Sequence, residues 1–173
     1  AYFDAEQNAV IAKVTGKEEV YPLKDLKIFG DHNKQNIMAA ICAARVMGVG
    51  QQAVQTCINT FKGLPHRLEF VRKKDGVYFF NDSKATNIQS VQASLGAFKR
   101  SAVIMIAGGK DKNMDFTPLV PFVQGQVKLL ILVGEAKEKI NRALGDFTET
   151  YLVGTFDEAV LMSFQKSRNS DVI

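Results

Sequence analysis

Polar side chains crowd together between an apolar, strand-like segment at 77–80 and a set of apolar residues with helical spacing. The polar run is Asn81, Asp82, Ser83, Lys84, Ala85, Thr86 and Asn87, and the helical pattern after it is Ile88, Val91, Leu95 and Phe98. Thr86 or Asn87 is a suitable N-cap for this helix. A buried strand does not tolerate so many polar groups without partners, so the run indicates a strand-to-helix loop that binds something polar.

The chemistry of this loop suits an anion. The N–H groups of the first helical turn carry partial positive charge, and Lys84 and Thr86 add an ammonium and a hydroxyl beside them. The carboxylate of Asp82 only accepts hydrogen bonds when ionised, so ribose hydroxyls, a metal ion or an amine are suitable partners for it. Taken alone, these residues are explained better by a capped helix with a local Asp–Lys pair and no ligand.

A second loop of this kind follows the next predicted strand, where Gly108 and Gly109 precede Lys110, Asp111 and Lys112. In open α/β sheets, ligands bind beyond the carboxyl ends of the strands. We therefore expect Lys84, Thr86 and Lys112 to converge on one anionic ligand, with the glycines allowing a close backbone approach. By itself, the glycine pair is also consistent with an ordinary tight turn.

Asparagine side chains are concentrated at the start of an earlier helix pattern. Asp31 or Asn33 is the expected N-cap, and the predicted apolar face is Ile37, Ala40, Ile41, Ala44 and Met47. Asn is a poor residue for a helix interior, but its amide offers a donor and an acceptor together, which is the pairing that reads the edge of adenine. Asn33 and Asn36 are therefore candidate nucleotide contacts, although a merely polar first turn explains them as well.

The elements that position these loops form two groups, divided at Gly63, where a helix stop is followed by Pro65. Residues 1–63 contain strand-like segments at 2–3, 9–14 and 20–21, then helices that end at Gly48 and near Phe61. Residues 64–173 begin with a hairpin that turns at Asp75-Gly76. They continue with strands at 102–107, 129–133 and 150–153, helices at 118–123, 135–144 and 157–167, and the start of another strand at 171–173. This alternation predicts a Rossmann-like α/β fold, with a mostly parallel sheet covered by helices on both faces.

Composition narrows the functional classes. The 173 residues are 46% apolar, enough for one or two small domains, and the net charge of +4 is scattered, so we do not expect nucleic-acid binding. No apolar run reaches the length of a membrane span and no signal-peptide pattern is present, so we expect a cytoplasmic location. Cys42 and Cys57 lie in helical patterns without metal-ligand spacing and read as reduced structural thiols. A phosphate loop and a G-x-G-x-x-G pattern are absent, so the chain by itself is not expected to bind ATP strongly.

Four motifs, in order and spacing, resemble the Mur ligases of peptidoglycan synthesis. They are Gly30-Asp31-His32-Asn33-x-x-Asn36, Gly63-Leu64-Pro65-His66-Arg67, the run from Asn81 to Asn87, and Gly108-Gly109-x-x-Lys112. The resemblance implies that residues 1–63 end an ATP-binding central domain and that residues 64–173 form most of a C-terminal domain. The Asp-Ser-Lys-Ala-Thr-Asn run resembles the branch of the family that adds D-glutamate. Such an enzyme is an ADP-forming amide-bond ligase, in which ATP phosphorylates the alanyl carboxylate of UDP-N-acetylmuramoyl-L-alanine and the amine of D-glutamate attacks the acyl phosphate.

The resemblance also implies roles for individual residues. Asn33, Asn36 and His66 correspond to adenine-side contacts, Arg67 to a phosphate-binding arginine and Asp82 to a ribose-contacting acid. Lys84, Thr86 and Lys112 correspond to the group that holds D-glutamate. No residue of this chain corresponds with certainty to a catalytic residue or to a metal ligand. ATP and Mg²⁺ are expected to be bound mainly by the part of such a ligase that precedes residue 1.

The chain begins in strand-like sequence without an initiator methionine and stops where another strand starts. We therefore expect a piece of a longer, monomeric enzyme that acts on small molecules, and we expect this piece to be inactive by itself and to retain at most weak binding of ADP or glutamate. Three other interpretations stay open: a folylpolyglutamate synthetase-like ligase, a non-catalytic α/β module that binds a small ligand, and an interaction scaffold.

Overall fold

A computed structural model describes residues 1–14, 16–98 and 101–173. These residues form two compact units, Ala1–Leu64 and Pro65–Ile173. The division falls one residue beyond the boundary predicted after Gly63. In the described ranges, no helix has the length and apolar character needed to cross a membrane.

The first unit packs two helices on a small antiparallel sheet. The strands are β1 (Tyr2–Asp4), β2 (Ala9–Lys13) and β3 (Glu18–Pro22), with β2 in the middle, and the helices are α1 (Asp31–Val46) and α2 (Gln51–Thr60). Alternate residues of β2 and β3 pack against the helices, and Ala9 and Ile11 on the other face of β2 are buried as well. The resulting core contains Val10, Ala12, Tyr21, Leu23, Ile37, Ile41, Val54 and Ile58.

A buried polar network connects β3 to α1. The carboxylate of Glu19 accepts hydrogen bonds from the hydroxyl of Tyr21 at 2.7 Å and from Nε and Nη2 of Arg45 at 2.8 and 2.6 Å. Arg45 also donates to the backbone carbonyl of Val49, just beyond the end of the helix. Burial and the neighbouring Glu19 carboxylate both disfavour a phenolate, and together they raise the pKa of Tyr21 to about 12.

Two expectations about α1 were wrong. The N-cap position is Gly30, and Asp31 is already helical, with its carboxylate paired to Lys34 at 3.1 Å. The predicted apolar face also extended too far, because the helix ends at Val46 and Met47 is 82% exposed. Ala40 is exposed as well, so Ile37 and Ile41 are the buried residues of this helix.

The second unit begins with a hairpin of strands β4 (Glu69–Lys74) and β5 (Val77–Asn81). Asp75 and Gly76 form its turn with φ of 49° and 80°. Positive φ at both positions is the geometry of a type I′ turn, which suits the twist of antiparallel strands. The hairpin predicted at Asp75-Gly76 is therefore confirmed.

Three further strands pair in parallel, in the order β6 (Val103–Gly108), β7 (Val127–Val133) and β8 (Glu149–Leu152). The segment 171–173 lies between the hairpin and these strands and pairs in parallel with both. The N–H of Tyr78 donates to Asp171 at 2.9 Å on one side, and the N–H of Ile104 donates to Val172 at 2.8 Å on the other. Consequently β5 and β6 run in the same direction with one extended segment between them.

Asp171 anchors this segment. Its carboxylate is 5% exposed and accepts a hydrogen bond from the ammonium of Lys128 and another from the backbone N–H of Arg168 at 2.5 Å. A buried carboxylate without such partners is strongly destabilising. The pairing therefore fixes where the segment enters the sheet.

Helices cover both faces of the sheet, as the alternation of elements predicted. They are α3 (Ile88–Gly96), α4 (Val120–Gln126), α5 (Lys137–Leu144) and α6 (Phe156–Lys166). Strand β7 shows the two-sided burial directly: Leu130 and Leu132 pack in the core with α3, α4 and α5, whereas Leu129 and Ile131 pack in the core with α6. A parallel strand buried on both faces is typical of α/β folds.

The raised pKa of Tyr21 makes a prediction about stability at high pH. An unfolded tyrosine titrates near 10.0, whereas the folded one keeps its proton up to about 12, so the free energy of unfolding should fall as pH rises between these values. At pH 7 we expect Tyr21→Phe to lower the free energy of unfolding by about 1 kcal/mol, because the hydrogen bond to Glu19 is lost. Between pH 10 and 12 the free energy of unfolding of Tyr21→Phe should fall by about 2 kcal/mol less than that of the unaltered protein, because phenylalanine does not ionise. Urea unfolding of both proteins at several pH values from 8 to 12 measures the difference. Equal slopes against pH in the two proteins would contradict this interpretation.

Candidate ligand-binding site

The loop at 81–87, between β5 and α3, is fastened to the turn at 64–68 by three hydrogen bonds. The N–H of Lys84 donates to the carbonyl of His66 at 3.0 Å, and the N–H of Leu68 donates to Oδ1 of Asp82 at 2.8 Å. The third bond joins Nδ2 of Asn81 and Nδ1 of His66 at 2.9 Å. We call this arrangement the clasp. The clasp joins the turn that carries His66 and Arg67 to the loop that carries Asp82 and Lys84, although the two pairs belong to different motifs of the sequence.

The turn itself has a strained backbone. His66 and Leu68 have φ of 64° and 46°, a left-handed conformation that is uncommon for residues other than glycine. Such residues persist where the surroundings hold them. Here the N–H of His66 donates to Oε2 of Glu69 at 2.8 Å, and the side chain of Leu68 is 7% exposed. Arg67 lies between them, exposed, and its guanidinium has no hydrogen bond or ion pair within the described ranges.

Asp82 is the central acceptor of the clasp. Its Oδ1 accepts from Leu68, and its Oδ2 accepts from the hydroxyl of Ser94 on α3 at 2.5 Å. Two oriented donors fix the plane of the carboxylate, and each oxygen keeps a lone pair for another donor. Asp82 is therefore a structural residue that can still bind ligand hydroxyls. Helix α3 is capped by Asn87, one of the predicted caps, whose side chain accepts from Ser90 at 2.8 Å.

The three residues predicted to hold an anion are all exposed. For Lys84, Thr86 and Lys112, the structure gives no side-chain partner among the residues that it describes. Lys84 and Thr86 share the loop after β5, and Lys112 lies in the loop after β6. Because the segment 171–173 separates β5 and β6, these strands are not neighbours in the sheet, and the two loops leave the same edge about two strand spacings, or ~10 Å, apart. Their convergence on one ligand stays a prediction.

The glycine pair after β6 has a structural reason. A Cβ on Gly108, whose φ is 153°, would lie 1.6 Å from the carbonyl oxygen of Val133. The N–H of Gly109 donates to that same carbonyl at 3.1 Å, and the carbonyl of Gly109 accepts from Ala136 at 3.0 Å. The close backbone approach expected from these glycines is therefore made to the neighbouring strand, as in the tight-turn alternative.

One anchor of this loop was missed from the sequence. Asp111 accepts from the N–H of Asn113 at 2.8 Å and from the ammonium of Lys139 at 3.1 Å, and these bonds hold the pKa of its carboxyl below its usual range. Lys139 also donates to the side chain of Asn113 at 3.2 Å. The spacing Asp-x-Asn is a local turn signal that could have indicated this role. The anchor attaches the Lys112 loop to α5.

An open groove of about 500 Å³ lies beside this loop, lined by Asn113, Met114, Asp115, Phe116, Lys139, Arg142 and Ala143. None of the predicted ligand residues lines it. The predicted site therefore does not coincide with this groove.

In the first unit, Asn33 and Asn36 differ in how their amides are used. Asn33 donates to the backbone carbonyl of Phe29 at 2.7 Å and accepts from Nδ2 of Asn36 at 3.2 Å. Its amide is thus engaged at both ends, whereas Asn36 is exposed and its Oδ1 has no described partner. The geometry favours Asn36 as a ligand contact, with Asn33 supporting it.

Known proteins resemble this chain in sequence. Residues 66–173 match the family model described as "Mur ligase, glutamate ligase domain". The UDP-N-acetylmuramoylalanine--D-glutamate ligase of Bdellovibrio bacteriovorus is 58% identical over 160 residues, which cover 92% of this chain and 34% of that protein. The ligase of the same name from Geotalea uraniireducens is 40% identical over 165 residues, covering 95% of this chain and 36% of that protein. This chain therefore spans about a third of the length of these relatives.

Solved structures support the fold. UDP-N-acetylmuramate-alanine ligase MurC from Thermotoga maritima superposes with a TM-score of 0.68 at 18% identity, covering 90% of this chain and 35% of that one. Folylpolyglutamate synthase from the same organism gives a TM-score of 0.66 at 15% identity, covering 91% and 38%. At these identities the likeness is one of fold alone, and it does not distinguish between the two kinds of ligase.

The role of Asp82 in the clasp can be tested by substitution. We expect Asp82→Ala to leave the N–H of Leu68 without an acceptor, to lower the unfolding free energy of the second unit by about 1–3 kcal/mol and to speed amide exchange at Leu68 and Lys84. Asp82→Asn retains an oxygen that accepts the N–H of Leu68, so its unfolding free energy and its amide exchange at Leu68 and Lys84 should change much less. Hydrogen exchange followed by NMR compares the three proteins, and unchanged exchange at Leu68 in Asp82→Ala would show that the clasp does not depend on this carboxylate.

The glycine pair gives a second prediction for this region. Gly108→Ala places a methyl group against the Val133 carbonyl and should cost ~3 kcal/mol or more, or prevent folding of the second unit. Gly96→Ala, in α3 with open space around it, is the matched control and should raise stability by about 0.5 kcal/mol. Urea unfolding measures both. Similar small effects at the two glycines would refute the steric explanation.

Proposed function

Because this chain belongs to the Mur ligase family, we propose that it is part of an ADP-forming ligase that joins D-glutamate to UDP-N-acetylmuramoyl-L-alanine in peptidoglycan synthesis. The observation that supports this most is the clasp, which bonds the turn that carries Arg67 to the loop that carries Asp82 and Lys84 within the matched domain. The 58% identity to a D-glutamate ligase favours this substrate over others.

In this proposal the two units belong to different domains of the complete enzyme. Residues 1–63 form the end of the ATP-binding central domain, and residues 64–173 form most of the glutamate ligase domain. His66 contacts the adenine side of the nucleotide, with Asn36 and, more weakly, Asn33. Arg67 binds phosphate oxygens, for which its planar guanidinium supplies two parallel donors. The two fixed oxygens of Asp82 accept the ribose hydroxyls.

Lys84, Thr86 and Lys112 are proposed to hold D-glutamate. Two ammonium groups on loops ~10 Å apart match a small ligand that carries two carboxylates, and the hydroxyl of Thr86 adds a donor. These residues would orient the amine of D-glutamate toward the activated alanyl carbonyl. Nitrogen–carbon bond formation then expels phosphate, and the amine loses a proton to a base that this chain does not identify. Orientation and neutralisation of charge are the contributions expected of such a site.

ATP with Mg²⁺ supplies the phosphoryl group and its charge neutralisation in this reaction. The exposed donors of His66 and Arg67 and the acceptors of Asp82 suit the base, phosphates and ribose of a nucleotide. In the described ranges, no group of three or more His, Cys, Asp and Glu side chains is arranged to hold a metal ion. On the resemblance to the Mur ligases, we propose that ATP and Mg²⁺ are bound mainly by the part of the enzyme that precedes residue 1.

We further propose that the complete enzyme is a cytoplasmic monomer that acts on small molecules and has no nucleic-acid or membrane partner, and that this chain alone is inactive. A folylpolyglutamate synthetase remains the second candidate, because its fold is as similar as that of the Mur ligases. A non-catalytic binding module is the third, and the sequence identity to D-glutamate ligases weighs against it.

The reaction is tested in the full-length enzyme by phosphate release with ATP, Mg²⁺ and UDP-N-acetylmuramoyl-L-alanine, comparing D-glutamate, L-glutamate and no amino acid. Release should require D-glutamate. Lys112→Ala should raise the KM for D-glutamate by about 10- to 100-fold, since it removes one charge-assisted hydrogen bond. The matched control is Lys110→Ala, since Lys110 is an exposed lysine two residues away in the same loop. This substitution should change the KM for D-glutamate less than threefold.

Two results would overturn the proposal. Phosphate release that requires L-glutamate and a folate acceptor would make the enzyme a folylpolyglutamate synthetase. Absence of release with either acceptor, from a folded enzyme, would leave only a binding module. Equal effects of Lys112→Ala and Lys110→Ala would keep the reaction but remove Lys112 from the glutamate site.

A further inference from the structure

Asn81 faces His66 in a way that determines which ring nitrogen carries the proton. Nδ2 of Asn81 and Nδ1 of His66 are 2.9 Å apart, and Oδ1 of Asn81 accepts the backbone N–H of Ser83 at 3.1 Å. A backbone N–H can bond only to the oxygen end of an amide, so the Ser83 contact fixes the orientation of the amide. Nδ2 is therefore the donor toward His66.

A ring nitrogen that accepts a hydrogen bond carries no proton, so in the neutral imidazole of His66 this contact places the proton on Nε2. Nε2 has no partner among the residues that the structure describes. The nearest carboxylate, that of Glu69, is 4.0 Å from Nδ1 and already accepts the backbone N–H of His66 at 2.8 Å. At 4.0 Å this oxygen is beyond hydrogen-bond distance of Nδ1, whereas Nδ2 of Asn81 is within it at 2.9 Å.

The backbone of His66 is also fixed. Its N–H is bonded to Glu69, its carbonyl accepts from Lys84 at 3.0 Å, and its φ is 64°. With the ring held at Nδ1 and the backbone held on both sides, the Nε2–H of the neutral ring is a donor of defined position. A donor that is oriented before binding loses less conformational entropy when a ligand arrives.

We propose that Asn81 is a positioning residue, which acts through His66 to present Nε2–H as a hydrogen-bond donor to the purine base. This inference rests on the proposed function, in which His66 contacts the adenine side of the nucleotide. Purine rings carry nitrogen acceptors, such as N7, for which a ring N–H is a suitable partner, whereas an unprotonated Nε2 would meet them as a second acceptor. Asn81 thus sets the polarity of the contact without touching the nucleotide.

The tautomer is measured directly by ¹⁵N NMR of the imidazole rings in the 173-residue chain. The sequence contains two histidines, so His32 serves as an internal reference. At about pH 9, well above the ordinary imidazole pKa of about 6.5, we expect His66 to show the Nε2–H pattern. Asn81→Asp keeps an oxygen for Ser83 and turns a second oxygen toward His66, so the proton should move to Nδ1. An Nδ1–H tautomer in the unaltered chain, or no change in Asn81→Asp, would overturn the inference.

The consequence for binding is measured in the full-length enzyme by calorimetry with ADP at the same pH. Asn81→Asp should weaken ADP binding about tenfold, because Nε2 becomes an acceptor. In a His66→Ala background the same change should weaken binding by less than twofold, since Asn81 acts only through the ring. An equal loss in both backgrounds would show that Asn81 acts on the loop rather than on His66.

These measurements separate the two proposals. If the enzyme binds ADP with this pattern but does not ligate D-glutamate, the proposed reaction fails and the role of Asn81 stands. If the enzyme ligates D-glutamate and the tautomer is Nδ1–H, the reaction stands and the role of Asn81 fails. An enzyme that does not bind ADP contradicts both.

Discussion

Parallel backbone pairing of the segment 171–173 is the constraint on which the second unit depends. On one side it accepts and donates hydrogen bonds with Tyr78 of β5, and on the other with residues at the start of β6. Without it, the hairpin and the three parallel strands would present unpaired edges to each other. The Asp171 carboxylate, bonded to Lys128 and to the N–H of Arg168, fixes the entry of the segment into the sheet. The direction of β5 relative to β6 follows from this pairing, and so does the location of the loops after β5 and β6 at one edge of the sheet.

The clasp fixes the loop that carries the proposed ligand residues at the edge of this sheet. A loop that leaves a strand end is ordinarily mobile, but here Lys84, Asn81 and Asp82 each bond to the turn that begins the unit. The loop also stabilises this turn, because its hydrogen bonds hold His66 and Leu68 in left-handed backbone conformations that cost free energy. Each segment therefore supplies the partners that the other lacks. The strained residues flank Arg67, whose exposed guanidinium is proposed to bind phosphate.

The sequence predicted the elements of the fold better than the way its loops are built. Apolar alternation located the hairpin, the strands and the two-sided helices, because burial acts on every residue of an element. It failed at the start of α1, where Gly30 and not Asp31 or Asn33 occupies the cap, and at Met47, where the helix had already ended. The segment 171–173 was expected to be a strand start, but its location between β5 and β6 depends on pairing at long range, which local patterns do not encode. The anchor from Asp111 to Lys139 and the bond from Ser94 to Asp82 also join residues whose contact only the fold determines.

The basic side chains of the described residues include two groups, those paired with carboxylates and those exposed to solvent. Lys128, Lys139 and Arg45 are paired with carboxylates and hold elements together, whereas Arg67, Lys84 and Lys112 have no described partner. A lysine in water is stable without a counterion, and pairing it with a protein carboxylate would reduce its attraction for an anion. In the loop after β6, adjacent residues have these two different roles. Asp111 anchors the backbone, and Lys112 beside it is exposed to solvent. Rigidity and charge are thus supplied by different side chains, so that the surface can hold its shape while its cations remain available to a ligand.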